Sequence, residues 1–276
     1  MARRAVRPLR IVTDSSACLP GSVANDPLIA TAEIGVRWAT PTTDDASARP
    51  APSVAGRLAD GETAKTVAPS VLDFLDLIER EPADDVVIVT PAHEFTVINQ
   101  HARAAAALAD RPVHVVDTRT AAAAHGLVVA AALEAAHRGA SADDVTAAAR
   151  SAAARAELVA VVDGLATLRR SGVVPATALT ESGARVLFGF RDGVVVPLGH
   201  TRRVVDALAR VEATWLAAGG SRHVPALVFH RGLPARARRL QQRLSPAAEI
   251  VVFSDAMAVH TGHGCAGIAW LRAEPR

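Results

Sequence analysis

The sequence predicts an α/β protein of two domains. An N-terminal parallel sheet flanked by helices takes residues 1–150, and a C-terminal mixed or antiparallel sheet with helices takes residues 151–276. Three observations predict it. Through residue 137, short apolar runs alternate with segments of helical period, the pattern of strand–helix–strand units in a parallel sheet. Beyond residue 158 the apolar runs crowd together, and two of them flank Asp192-Gly193, a strong hairpin signal. The length of 276 residues, half of them hydrophobic, is enough for two cores.

Taken in order, residues 9–12 form the first strand, with Leu9, Ile11 and Val12 as its apolar positions. Residues 17–24 make a short helical turn. Residues 28–38 (LIATAEIGVRW) alternate loosely and read as a second strand. Residues 39–52 are rich in Thr, Pro, Asp and Ala and read as a loop, and residues 54–59 as a short helix stopped by Asp60-Gly61. After Pro69-Ser70, a helix carries Val71, Phe74, Leu75 and Ile78 on one face. A turn over residues 82–85 precedes a strand at 86–89, a helix at 96–109 and a strand at 113–116. An Ala-rich helix follows at 121–137 with Gly139 as its stop, and the next opens at Ser141 with Asp143 and Asp144 in its first turn. The second half reads as strands at 158–162, 185–190, 194–198, 226–229, 250–253 and 266–270, with helices at 165–170, 201–217 and 235–244.

Charge and composition exclude several classes. The net charge is +2, the arginine runs are short and scattered, and no aromatic residues interleave them, which argues against nucleic-acid binding. Lys65 is the sole lysine and follows no glycine loop, so a phosphate-cradling loop is absent. Cys18 and Cys265 fit free thiols in a reducing compartment. No apolar run serves as a signal-peptide core or a membrane span. The expectation is a soluble cytoplasmic protein.

Each strong strand of the first half ends in hydroxyl or acid side chains: Thr13-Asp14-Ser15-Ser16, Thr90 and Asp117-Thr118. The C-terminal edge of a parallel sheet is where such folds bind ligands, although Asp and Ser there also cap helices. Gly262-His263-Gly264-Cys265-Ala266-Gly267 matches G-x-G-x-x-G. It opens no strand–turn–helix unit and only nine residues follow it, so a dinucleotide fingerprint is rejected. Its glycines suit close backbone approach. His260, His263 and Cys265 are ligand types for zinc without a paired-ligand spacing. Ser15 or Ser16 with His260 would suit a hydrolase or phosphate-transfer enzyme, but no G-x-S-x-G elbow is present.

Thr13 to Pro20, Lys65 to Ser70 with Asp73-Phe74, Val115 to Arg119 with Gly126, Asp192-Gly193…Pro197-Leu198…Arg202, and residues 260–267 lie in register across the chain, and together they resemble the DegV family of bacterial fatty-acid-binding proteins. Thr13 to Pro20 (TDSSACLP) is similar to its TDS-[ST]-x-x-LP signature. Lys65-Thr66-Val67-Ala68-Pro69-Ser70 with Asp73-Phe74 resembles KTSQPS…DF, and Val115-Val116-Asp117-Thr118-Arg119 with Gly126 resembles the family's strand ending in Asp-Ser before a glycine-containing helix start. Asp192-Gly193…Pro197-Leu198…Arg202 resembles the stretch around its second hairpin, and residues 260–267 resemble H-x-G-P-G-x-x-G.

The resemblance implies the family's EDD fold and a long acyl chain held between or within the two domains, with no other cofactor. It implies that Thr66 binds the ligand carboxylate, with His260 beside it, and that the protein is a carrier rather than a catalyst. Some members present their fatty acid to a separate kinase that phosphorylates the carboxylate. The family's second carboxylate-binding residue, a serine in an SSxLSGT segment, has no direct counterpart. Here the segment reads Thr90-Pro91-Ala92-His93-Glu94-Phe95-Thr96, leaving Thr96 as the stand-in. Asp14, Ser15, Ser16, Thr90, Arg202, Gly262 and Gly264 are expected around the head group. Further departures are Ser171-Gly172-Val173 for GGR, Arg185 for the Lys of LNIKP, and His263 for a Pro. They motivate an alternative, a divergent member that binds another small ligand or a partner. Glu94 is the sharpest departure, because its carboxylate would repel a bound one.

Overall fold

The computed structural model describes residues 8–39, 54–80, 83–94, 96–163, 184–262 and 264–274. Strand β1 (Leu9–Asp14) is joined by β2 (Ile29–Ala32) on one side and β5 (Asp85–Thr90) on the other, and β6 (Val113–Asp117) follows β5. All four run parallel. Their residues are β-branched and apolar because both faces are covered: Ile11, Val12 and Val86 through Val89 are fully buried.

A second sheet has six strands, in the order β11 (Glu249–Val252), β10 (Ala226–Arg231), β12 (Cys265–Leu271), β7 (Ala156–Val162), β8 (Arg185–Arg191) and β9 (Val194–Thr201). It is mixed, since β10 and β11 are parallel and the other neighbours antiparallel. The β8–β9 turn holds Asp192 at φ 50° and Gly193 at φ 83°, the paired positive angles that a two-residue hairpin needs.

Helices α5 (Ala122–His137) and α6 (Ala142–Arg155) lie between the two sheets. Helix α5 touches β1 and β5 on one side and β7, β10 and β12 on the other, which explains an apolar sequence with no polar stripe. One core cluster runs through it, from Ile11 and Val87 of the first sheet to Phe229 and Ala269 of the second. Gly126 is where α5 meets the loop after β1, since a Cβ there would stand 2.2 Å from the Ala17 carbonyl oxygen. Outer helices close the free faces: α3 (Val71–Glu79) and α4 (Ile98–Leu108) on the first sheet, α7 (Val204–Ala217) and α8 (Pro234–Leu244) on the second.

A third element bridges them. Strands β3 (Gly35–Trp38) and β4 (Ala64–Val67) form an antiparallel pair and, with α2 (Val54–Ala59), pack on α9 (Asp255–Thr261). Helix α1 (Gly21–Ala24) is a single turn. Among the described residues no helix is long and apolar enough to cross a membrane.

Three sequence expectations are corrected, and two elements are added. Residues 28–38 are two strands in different sheets: the chain leaves β2 at Ala32, and the Ile34 N–H donates to Ser15 Oγ at 2.9 Å. Helix α4 begins at Ile98, because Thr96 Oγ1 accepts the Ile98 N–H and stays outside the helix. Helix α7 begins at Val204, because β9 continues through Thr201. Helix α9, capped by the Ser254 hydroxyl, and strand β4 were not expected. The helix expected at 165–170, most of the 39–52 loop, part of the 82–85 turn, Ser171-Gly172-Val173 and His263 lie outside the described residues.

Candidate functional site

A cavity of about 950 Å³ opens between the C-terminal edge of the parallel sheet and the inner face of the mixed sheet. That is at the upper end of ordinary ligand pockets, about 300–1,000 Å³. One wall is apolar: Leu158 of β7, Phe188 and Phe190 of β8, Val195 of β9 and Phe229 of β10. Phe188 and Phe190 are two apart on one strand and so face the same side. Phe229 stacks on Phe253 with ring centroids 4.9 Å apart. Gly267 makes room for it, since a Cβ there would lie 2.5 Å from the Phe229 ring. The last glycine of the G-x-G-x-x-G stretch is thus a packing glycine.

The polar end is built from three elements. Thr66 comes from β4 and His260 from the last turn of α9, and Thr66 Oγ1 lies 3.2 Å from His260 Nε2. Burial pushes the His260 pKa down, so the ring is neutral near pH 7 and only one ring nitrogen carries a proton. With that proton on Nε2, the imidazole donates to Thr66 Oγ1 and the threonine O–H is left to donate to a ligand. His260 Nδ1 has no hydrogen-bond partner among the described residues. The third element is the segment from Pro91 into α4. Thr96, Asn99 and Arg103 line the cavity from there.

The structure brings Thr66, Thr96, His260 and Ser16 to one cavity. Three other expected residues stand behind it as braces. Asp14, 1 % exposed, accepts from the Ser16 N–H at 2.9 Å and from the Ser16 hydroxyl. Ser15 holds Ile34 as above. Thr90 Oγ1 donates to the Val116 carbonyl at 3.2 Å and accepts from Asn99 Nδ2 at 2.7 Å. Gly262 ends α9 at φ 72°, and Gly264 sits against Asp163, so neither lines the cavity. Arg202 lies in a separate surface depression with His200, Asp206 and Arg210, just past β9, the edge strand of the mixed sheet.

Two residues at the polar end have no sequence signal beyond their spacing. Asn99 and Arg103 are four apart on α4 and share a face; Arg103 Nε donates to Asn99 Oδ1 at 2.8 Å.

Glu94 is re-paired rather than unbalanced. Arg119 reaches its Oε1 at 2.9 Å, and His93 Nδ1 lies 3.3 Å from Oε2 and also contacts Asp117. Arg119 Nη2 also donates to the Asp192 carbonyl at 2.8 Å, tying this rim to the β8–β9 turn. His93, Glu94 and Asp117 present ligand atoms within 4.8 Å of one another, a donor set that suits a divalent ion in composition, but Arg119 already supplies a cation there. Of the other metal candidates, Cys265 is fully buried and its burial pushes the thiol pKa up, away from the thiolate a metal binds. The described contacts of Ser15 and Ser16 run to Ile34 and Asp14, and the His260 ring nitrogen contacts Thr66.

Residues 8–273 match the model of the DegV family, described as an uncharacterised protein family. A DegV domain-containing protein of Streptomyces coelicolor is 31 % identical over 274 residues, covering 95 % of this chain and 98 % of the relative. The chain belongs to the DegV family. Its fold is the DegV fold. A DegV lipid-binding protein from Thermotoga maritima superposes with a TM-score of 0.84 at 22 % identity, over 98 % of this chain and 100 % of the other. A DegV family protein from Thermus thermophilus, described by its fatty-acid binding, superposes with a TM-score of 0.83 at 22 % identity, over 96 % and 100 %.

Proposed function

We propose that this chain binds a long-chain fatty acid without chemically changing it. The acyl tail lies along Leu158, Phe188, Phe190 and Phe229, and the carboxylate accepts hydrogen bonds from Thr66 and Thr96 beside a neutral His260. The observation that carries this reading is the lining of the cavity: an apolar wall of Leu158, Phe188, Phe190 and Phe229 in one cavity with the hydroxyls of Thr66 and Thr96. Its relatives' descriptions as lipid-binding and fatty-acid-binding proteins support it. Burial gains about 0.8 kcal/mol per CH₂, so a sixteen-carbon chain contributes on the order of 10 kcal/mol gross, before ordering costs. The tail therefore dominates affinity, and a changed head-group segment does not remove binding.

In this reading residues 1–150 and 151–276 act as two domains around one ligand, and the protein works in the cytoplasm as a carrier. A separate ATP-dependent kinase phosphorylates the presented carboxylate, and Arg202 belongs to the surface that meets it. Native mass spectrometry of gently purified protein tests the central claim, followed by titration of delipidated protein with palmitate and oleate. A co-purified mass of a C16 to C18 acid and saturable binding are expected. The absence of both extractable lipid and binding of added acid would overturn the reading.

A further inference from the structure

We propose that Arg103 is the cation that makes this cavity select an anionic head group; the inference rests on the lipid-binding reading above. Thr66, Thr96 and a neutral His260 offer hydrogen bonds but no positive charge. A hydroxyl serves an alcohol or an ester nearly as well as a carboxylate, so these three alone discriminate poorly. Arg103 adds the missing charge. It lines the same cavity, and α4 is stitched beside the end of β4 by a hydrogen bond from His101 Nδ1 to the Pro69 carbonyl at 2.7 Å.

Its side chain is held from the sheet outward. Asn99 is 4 % exposed, and its Nδ2 donates to Thr90 Oγ1, which itself donates to the Val116 carbonyl. That fixes the amide: reversing it would set its NH₂ against the Nε–H of Arg103. Asn99 Oδ1 therefore accepts from Nε and occupies that edge of the guanidinium. The Nη edge, a planar pair of N–H groups, remains to meet both oxygens of a carboxylate. Among the described residues no carboxylate pairs with Arg103. The acid nearest in sequence that also lines the cavity, Glu94, is matched to Arg119 instead.

The test compares palmitate with hexadecanol on the full chain, for the wild type, Arg103→Gln and Arg103→Lys, at low and high salt. Arg103→Gln is expected to weaken palmitate about fivefold, the upper range for an exposed ion pair, and to leave hexadecanol within about twofold. The salt dependence of palmitate binding falls with it, because an exposed ion pair is screened. Arg103→Lys restores part of the selectivity, as a point charge without the fork. An unchanged palmitate-to-hexadecanol ratio in Arg103→Gln would overturn the assignment while leaving lipid binding intact. A wild type that binds neither ligand would remove the lipid reading itself.

Discussion

The two sides of the cavity are made differently. The wall from the mixed sheet consists of side chains projecting from regular strands, Leu158, Phe188, Phe190 and Phe229, each set by strand alternation alone. The rim from the parallel sheet consists of strand-end residues and the loops that follow them, and its polar groups are held by one another: Asp14 by Ser16, Thr90 by Asn99, Glu94 by Arg119. An apolar wall asks only for bulk and the exclusion of polar atoms, so many sequences satisfy it. A rim asks for matched partners, because a buried polar group without one is costly. The glutamate that replaces a hydroxyl segment is accommodated here by an arginine that pairs with its Oε1.

Charging the wall tests the contrast hardest. Phe190 is half-buried and faces the cavity, so Phe190→Asp puts a carboxylate where the tail would lie. Palmitate affinity should fall on the order of 100-fold, since burying an unpaired charge against a chain costs several kcal/mol. Phe190→Leu should bind nearly as the wild type does. Equal binding by the Asp variant would mean that the tail runs elsewhere. At the rim, Thr66→Val removes a single donor, and about a tenfold loss is expected with little change in the denaturation midpoint. Unchanged affinity would place the carboxylate away from β4.

The same contrast governs what could be read in the sequence. Strands β1, β5 and β6 and the β8–β9 hairpin were legible because apolar runs, strand-end hydroxyls and Asp192-Gly193 are local signals. The break between β2 and β3 was not, because strand-forming residues continue past Glu33, and a distant contact with Ser15 turns the chain. Helix α9 is seven residues long and follows a strand closely, so its period is too short to register. Thr66, Thr96 and His260 were found through family resemblance, and the structure gathers them. Arg202 was assigned to the head group by the same route, yet it lies in a separate surface depression just past β9. Asn99 and Arg103 read as an ordinary polar helix face. Only the fold shows that this face looks into the cavity.

A buried histidine between rim and core gives a pH signature. His125 on α5 is fully buried, with Nε2 3.1 Å from both Thr13 Oγ1 and the Val89 carbonyl. Burial lowers its pKa, and the charges of Asp14 and Asp117 and the Val89 carbonyl offset part of that. An unfolded histidine titrates near 6.5. As pH falls through that value the unfolded chain gains a proton that folded His125 refuses, so stability drops on acidification. His260 and His230, also lowered by burial, act in the same sense. Denaturation midpoints between pH 7 and pH 5 should therefore fall, with a shallower slope in His125→Gln. The same slope in both would show that His125 is not a contributor.

The smallest expected effect concerns Arg119, which touches both rim and hairpin. Arg119 pairs with Glu94 and donates to the Asp192 carbonyl, while Gly193 lies so close that a Cβ would meet the Glu94 carboxylate. Arg119→Gln should weaken palmitate about threefold, because the arginine is half-exposed and such pairs are worth under about 1 kcal/mol. Two causes are separable. If the freed charge of Glu94 repels the ligand, adding Glu94→Gln restores affinity. If the lost tether to Asp192 loosens the hairpin, the double variant stays as weak as the single one. Because Asp192 is held through its backbone carbonyl, no side-chain change there mimics the loss. The Arg119–Glu94 double-mutant cycle is thus the measurement that tells charge from anchorage at the mouth. A positive coupling assigns Glu94 to electrostatic control of the head-group end; zero coupling assigns Arg119 to holding wall and rim together.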